Sequence, residues 1–307
     1  MSGVRCYQSV LQSTDLEHGS FCGQHDAFVN WERARGGVAI SMTTVISPDG
    51  TRIGYESVGA GPPLLLVHGS TGTRARWSSV TPVLAQRYTV HAMDRRGRGL
   101  STTEVEPYSL SREAEDVAAV AEAVGGDVYV VGHSYGALAV LEAALITSAF
   151  VRIMLYEPPI PSPGHDVGSP EGLARITTMS DPREILEAFY DDTLHLPRPA
   201  IKDLANREFP YLADSIGHTA GRELAAARAY RATERLAGIT VPVRMLFGTQ
   251  SPAYFRAAAT AVADLVPGAT VAELRGQGHQ AVDYDPPQFA RAVLDFDARS
   301  ASPLRRP

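Results

Sequence analysis

Between residues 127 and 147 the chain passes from a compact apolar run, through a serine with glycine two positions to either side, into an alanine- and leucine-rich stretch. That order is strand, sharp turn, helix. The turn reads Gly132-His133-Ser134-Tyr135-Gly136, the pattern G-x-S-x-G, and its strand-to-helix context is what gives the pattern weight. A backbone that reverses so abruptly strains the serine and lifts its Oγ above the sheet edge. The glycines are needed because a Cβ at either place would collide with the neighbouring strand and helix. Ser134 is therefore the first candidate for chemistry.

The same alternation of strand and helix runs from residue 43 onward, the sign of a mostly parallel sheet covered on both faces. Residues 43–59 read as two short strands joined by the turn Pro48-Asp49-Gly50. Apolar runs at 63–67, 88–93, 127–132 and 151–156 suit buried strands. Helices fit 76–86, 111–124 with Ser111 as N-cap, and 135–147. The rhythm breaks at 160–238, where helix-like stretches and prolines occur without a strand, so a helical cap is expected there. It resumes with strand 241–247, helix 253–266, strand 270–274 and a last helix at 287–298. One α/β domain over 42–299, with its cap at about 160–238, is the expectation.

A chain of 307 residues, 44% hydrophobic and 20% charged, is neither disordered throughout nor a disulfide-stapled miniprotein. Its net charge of −6 disfavours a nucleic-acid surface. Of the 28 basic residues only Lys202 is lysine, a bias read as compositional. No stretch reaches the roughly 18 apolar residues that a membrane helix needs, and the first 28 residues lack the apolar core of a secretory signal. A cytoplasmic protein without membrane partners is expected. Residues 1–41 show no periodicity and are expected to form a poorly ordered extension, and 300–307 a frayed tail. Both cysteines, Cys6 and Cys22, fall in that extension, and a bridge between them is not expected in a reducing compartment.

Three further patterns accompany the serine turn in chain order. His68-Gly69 follows the third expected strand, Asp94-Arg95-Arg96-Gly97-Arg98-Gly99-Leu100-Ser101 the fourth, and Gly276-Gln277-Gly278-His279 the last. On these residues the sequence resembles the α/β-hydrolase superfamily over 43–298. The resemblance implies the α/β-hydrolase fold, with the helical cap inserted after the sixth strand.

A serine hydroxyl needs a base to take its proton and later return it to a leaving group. His279 is the candidate, lying in the loop where the resemblance implies the base. The loop after the seventh strand, Gly248-Thr249-Gln250-Ser251-Pro252, lacks the carboxylate usual there in such proteins. Glu157, at the end of the sixth strand and ahead of two prolines, is the candidate acid, with Asp283 and Asp94 as weaker alternatives. By resemblance the backbone N–H groups of Ser70 and Tyr135 form the oxyanion hole. His68 is expected to brace its loop, residues 94–101 to form a structural turn, and Trp77 to pack near the pocket mouth with some contact to substrate. In the cap, Phe189, Tyr190, Leu194, Phe209, Tyr211 and Tyr230 supply apolar groups, a few of them for the pocket. No metal motif and no cofactor motif is present. The expected function is a serine hydrolase cleaving a small, largely apolar ester, lactone or thioester through an acyl-enzyme. The alternative is a lyase, cyclase, acyltransferase or ligand-binding member of the fold using the same pocket.

Overall fold

Successive residues of a strand face opposite sides of a sheet, and here each side builds its own core. Along β3 (Pro63–Val67), Leu65 and Val67 join one buried cluster while Leu64 and Leu66 join the other. Both pairs are fully buried, each such side chain contributing about 1.5–3 kcal/mol by leaving water. The computed structural model describes residues 40–300. The other strands are β1 (Ile40–Ile46), β2 (Arg52–Val58), β4 (Thr89–Met93), β5 (Val128–His133), β6 (Phe150–Tyr156), β7 (Val243–Gly248) and β8 (Thr270–Leu274). They form one eight-stranded sheet in the order β1-β2-β4-β3-β5-β6-β7-β8. β2 pairs antiparallel with β1 and β4, and every other pairing is parallel.

Helices α1 (Leu110–Ala123) and α2 (Tyr135–Ala143) flank β5 in sequence, and α3 (Pro170–Thr178), α4 (Pro182–Leu194), α5 (Arg198–Leu212) and α6 (Ile216–Ala229) occupy the span between β6 and β7. α7 (Ala253–Leu265) and α8 (Pro286–Ser300) follow, with a single helical turn at Ala281–Tyr284 between β8 and α8. Val117 of α1, Leu138 of α2 and Phe255 of α7 belong to one core, and Phe289 of α8 to the other. Pro170, Pro182 and Pro199, which looked like breaks in the cap, each sit in the first turn of a helix, while Pro210 lies inside α5. Ser169 Oγ accepts from Gly172 N at 2.8 Å ahead of Pro170, and Asp181 Oδ1 accepts from Glu184 N at 2.9 Å ahead of Pro182. Among the described residues no helix is long and apolar enough to cross a membrane.

Several expectations need correction. Ile40 and Ser41, assigned to the extension, open β1; the rest of that extension with Cys6 and Cys22, and residues 301–307 of the tail, lie outside the described residues. The helix expected at 76–86 is instead a tight turn at Arg74–Trp77 and a single helical turn at Thr81–Leu84. Pro82 explains the split: it sits in the first turn of Thr81–Leu84, where its missing N–H costs nothing, and inside one continuous helix it would remove a backbone bond at a cost of about 3 kcal/mol. α1 is capped by Ser109, whose Oγ accepts from Arg112 N at 3.3 Å, and Ser111 is already helical.

The loop after β4 is built on a buried carboxylate. Asp94 Oδ1 accepts from Arg74 N at 2.7 Å, and Oδ2 accepts from Arg74 NH1 at 2.5 Å and Leu100 N at 2.8 Å. Gly99 has φ +55° and a Cβ there would run into that carboxylate, so only glycine closes the turn. The expected structural turn is thus observed, and it carries Arg95, Arg96 and Arg98 inward. Replacing Asp94 by alanine orphans three donors, and the expected cost is about 2–4 kcal/mol, read as a lowered midpoint in urea unfolding with an unchanged slope.

Candidate active site

The order β4-β3-β5 makes β3 the place where the sheet changes direction of winding, and such a switch point leaves a crevice beyond the strands' carboxyl ends. The candidate residues converge there. β5 delivers Ser134 and β6 delivers Glu157, and both have left-handed backbone, φ +54° and +52°. Non-glycine residues rarely adopt it, at a cost of about 1–3 kcal/mol each, unless the surroundings impose it. Here Ser134 N donates to Tyr156 O at 2.8 Å, and Glu157 N donates to Leu246 O at 3.0 Å. Gly69 lets the loop after β3 press against the serine: a Cβ at this position would stand 2.7 Å from Ser134 Cβ and 3.3 Å from its Oγ.

His279 meets Glu157. Its Nδ1 lies 2.5 Å from Glu157 Oε2, while the other oxygen, Oε1, accepts from Gly248 N at 2.6 Å. The carboxylate is fully buried, and its position makes Nδ1 the protonated nitrogen, leaving Nε2 with a lone pair. Three contacts fix the imidazole. Phe255 stacks on it with centroids 4.6 Å apart, Tyr156 OH donates to Gly278 O, and His133 Nε2 donates to His279 O at 3.0 Å. Asp94 and Asp283 bond elsewhere, Asp283 to Arg76 NH1 at 2.5 Å.

The loop after β3 is held from behind. His68 Nδ1 donates to Gly69 O at 2.8 Å and Nε2 accepts from Arg95 N at 3.1 Å, so the ring is neutral with its proton on Nδ1. Burial, reinforced by the charges of Arg95 and Arg98, holds its pKa well below the usual histidine range. Burial does the same to His133, helped by His279. The bracing expected of His68 is what the geometry provides.

Ser134, His279, Ser70 and Tyr135 line one cavity, which encloses about 530 Å³ of space, part of it open to solvent. Of the six cap residues singled out, Phe189, Tyr190 and Leu194 line it. Tyr211 is exposed, Phe209 packs under the Arg183 guanidinium, and Tyr230 is buried away from the cavity lining. Trp77 is a correction. It is fully buried, packed edge-on against His133 and tilted against Phe289 in the opposite core, and it does not line the cavity.

Sequence reasoning missed Arg76, Gln280 and Glu223, which also line the cavity. Gln280 had a signal, being next to His279. Arg76 and Glu223 had none, because their partners are distant in sequence: Arg76 NH2 meets Glu208 Oε1 at 3.1 Å, and Glu223 meets Arg95 NH2 at 2.9 Å.

A profile of the alpha/beta hydrolase family matches residues 64–292. The chain belongs to the alpha/beta hydrolase family. RutD of Azorhizobium caulinodans, whose name provisionally assigns it carbamate hydrolysis, is 29% identical over 252 residues, 79% of this chain and 93% of RutD. Among solved structures, an alpha/beta hydrolase of Sphaerobacter thermophilus is 30% identical with a TM-score of 0.73, over 83% of this chain and all of that one. The esterase RhEst1 of a Rhodococcus species is 28% identical with a TM-score of 0.68, over 84% of this chain and 98% of that one. The family and these relatives mark the chain as an enzyme of the hydrolase type.

The neutral histidines set a pH dependence of stability. His91, bonded to Ser57 Oγ at 2.8 Å, is lowered by burial to about 4, and His68 and His133 are shifted the same way. Folded values below the unfolded 6.5 mean that the unfolded chain binds more protons between about pH 4 and 6.5, so stability falls as pH falls through that window. Thermal unfolding at pH 7.5 and 5 checks this: the midpoint drops at pH 5, and His91→Gln makes the drop smaller.

Proposed function

We propose that the chain is a serine hydrolase that cleaves a small, largely apolar ester, lactone or thioester through an acyl-enzyme. The 2.5 Å bond between His279 Nδ1 and the buried Glu157, with His279 and Ser134 lining one cavity, carries the reading. Ser134 Oγ attacks the carbonyl carbon as its proton passes to His279 Nε2, and the carbonyl π pair moves onto oxygen. The Ser70 and Tyr135 N–H groups receive that oxyanion. Collapse expels the alkoxide or thiolate, which takes the proton from His279. Water, deprotonated by the same nitrogen, then attacks the acyl-serine, and a second collapse returns the proton to Ser134 and frees the acid. Glu157 stabilises the imidazolium in both halves without itself taking the proton.

Val167, Phe189, Leu194, Leu224, Ala227 and Phe255 line the cavity, which favours an apolar acyl group. The reading needs only a small-molecule partner. The absence of a carboxylate after the seventh strand is a motive for the alternative, a non-hydrolytic member of the fold. That motive weakens because Gly248 N–H, from that very loop, bonds the carboxylate supplied by β6.

A fluorophosphonate probe tests the nucleophile: it should label the wild-type chain and leave Ser134→Ala unlabelled, and equal labelling of both sinks the acyl-enzyme. Glu157→Gln should lower kcat on the best p-nitrophenyl ester by about 10³–10⁴ while KM holds. Near wild-type turnover would move the acid elsewhere. Matched oxygen, sulfur and nitrogen leaving groups on one acyl chain then separate ester or thioester cleavage from amide cleavage, and a carbamate tests the hydrolysis named for RutD.

A further inference from the structure

Arg95 and Arg98, from the loop after β4, each reach a carbonyl of the loop that carries the proposed oxyanion donor. Arg95 NH1 donates to Gly69 O at 3.0 Å and Arg98 NH1 donates to Ser70 O at 3.2 Å. Peptide planarity converts those contacts into an orientation. In a trans peptide the C=O of one residue and the N–H of the next point in opposite directions, so fixing Gly69 O turns Ser70 N–H away from Arg95. Fixing Ser70 O does the same for Thr71 N–H.

Two guanidiniums so close together need negative charge, and it comes from two places. Glu113 of α1 pairs with Arg95 at 2.6 and 3.0 Å. Glu223 of α6, a cap helix, pairs with Arg95 NH2 at 2.9 Å and with Arg98 NH2. All four side chains are buried, two positive and two negative. Burial alone would raise the Glu223 carboxyl, but Arg95 and Arg98 outweigh it and hold it below the usual range. Glu223 also lines the cavity, between the cap and the loop.

We infer that Glu223 is a positioning residue through which the cap sets the oxyanion hole: by holding Arg95 and Arg98 on the Gly69 and Ser70 carbonyls, it aims the Ser70 N–H. The inference rests on the proposed serine chemistry. A hydrolytic core whose cap is displaced would keep Ser134, His279 and Glu157 but lose the alignment of one donor. Loss of alignment is felt where charge develops on oxygen, and hardly at all in ground-state binding.

The test compares Glu223→Gln, the charge-balanced pair Arg98→Gln with Glu223→Gln, and Glu104→Gln. Glu104 serves as the control because it pairs with Arg222 of the same cap helix, at 2.7 and 2.8 Å, so its loss loosens the same anchor without touching the oxyanion loop. The readouts are kcat and KM on a p-nitrophenyl ester, and inhibition by an alkyl boronic acid, whose tetrahedral serine adduct puts an oxygen in the oxyanion position. The inference expects kcat about 10- to 100-fold lower in both Glu223 variants, KM within about threefold, and boronate affinity falling in step with kcat/KM. Glu104→Gln should lower only the melting temperature. Should Glu223→Gln fail to fold through its unpaired buried arginine, the balanced variant carries the same expectation. Wild-type kcat and boronate affinity in a folded Glu223 variant, or an equal loss in Glu104→Gln, overturns the inference alone. A wild-type chain that neither takes a fluorophosphonate label nor hydrolyses any ester overturns the serine-hydrolase reading and this inference with it.

Discussion

The backbone of Ser134 is the constraint around which the rest is arranged. A φ of +54° on a residue with a Cβ is unfavourable on its own, so neighbours must make every alternative worse. Three pieces of the fold do that. The β6 strand takes the serine N–H, α2 starts immediately afterwards, and the loop after β3 closes on the side chain through a glycine. Glu157 repeats the device one strand over, at φ +52°. Adjacent parallel strands therefore end in two strained residues whose side chains leave the sheet at the same edge. A carboxylate placed that way meets the histidine loop returning from β8 without any long flexible segment to order.

Local physics explains which parts of this were legible in the sequence. The strand at 63–67 could be read to the residue because a short apolar run between turn formers has few other uses, and that at 270–274 because turn formers bracket a short stretch after a helix. The serine turn, the histidine loop and Glu157 were legible for a related reason: each is a polar residue immediately beyond an apolar strand or in its following loop. The helix at 76–86 failed because residue type outweighed one proline, and the N-cap of α1 slipped because Ser109 and Ser111 offer the same chemistry two residues apart. Trp77 misled for a different reason. It follows β3 near the site in sequence, but the tight turn at Arg74–Trp77 carries it into the opposite core.

Long-range charge pairing was the illegible part. Arg95 finds Glu113 only 18 residues away, yet Arg98 finds Glu223 after 125, and Arg76 finds Asp283 after 207. No period or motif encodes a partner at such distances. The arginine bias of the composition looks different once these residues are placed, because Arg76, Arg95, Arg96 and Arg98 are all buried. A guanidinium offers five donors in a plane, so it can serve a carboxylate on one edge and a backbone carbonyl on another, which an ammonium does less well. Arg96 does so too, giving Nε and NH2 to Asp116 at 2.7 Å and NH2 to Arg112 O at 3.2 Å.

That use of arginine also shapes what the cavity offers a substrate. Among the described residues Arg76 is the one arginine lining it, and its donors already meet Asp283, Gln280 and Glu208. Its charge is therefore matched before any ligand arrives, and burying a substrate carboxylate beside it would set a third anion against the two already there. His133 at the cavity wall points the same way, since burial keeps it neutral. What remains for a substrate is hydrogen bonding from Thr71, whose hydroxyl already accepts from Tyr190 OH at 3.0 Å, and from Gln280, together with the apolar surface of Phe189, Leu194 and Leu224. Those contacts suit the neutral acyl compound proposed as substrate, and they follow from how the cap is anchored as much as from what the cap residues are.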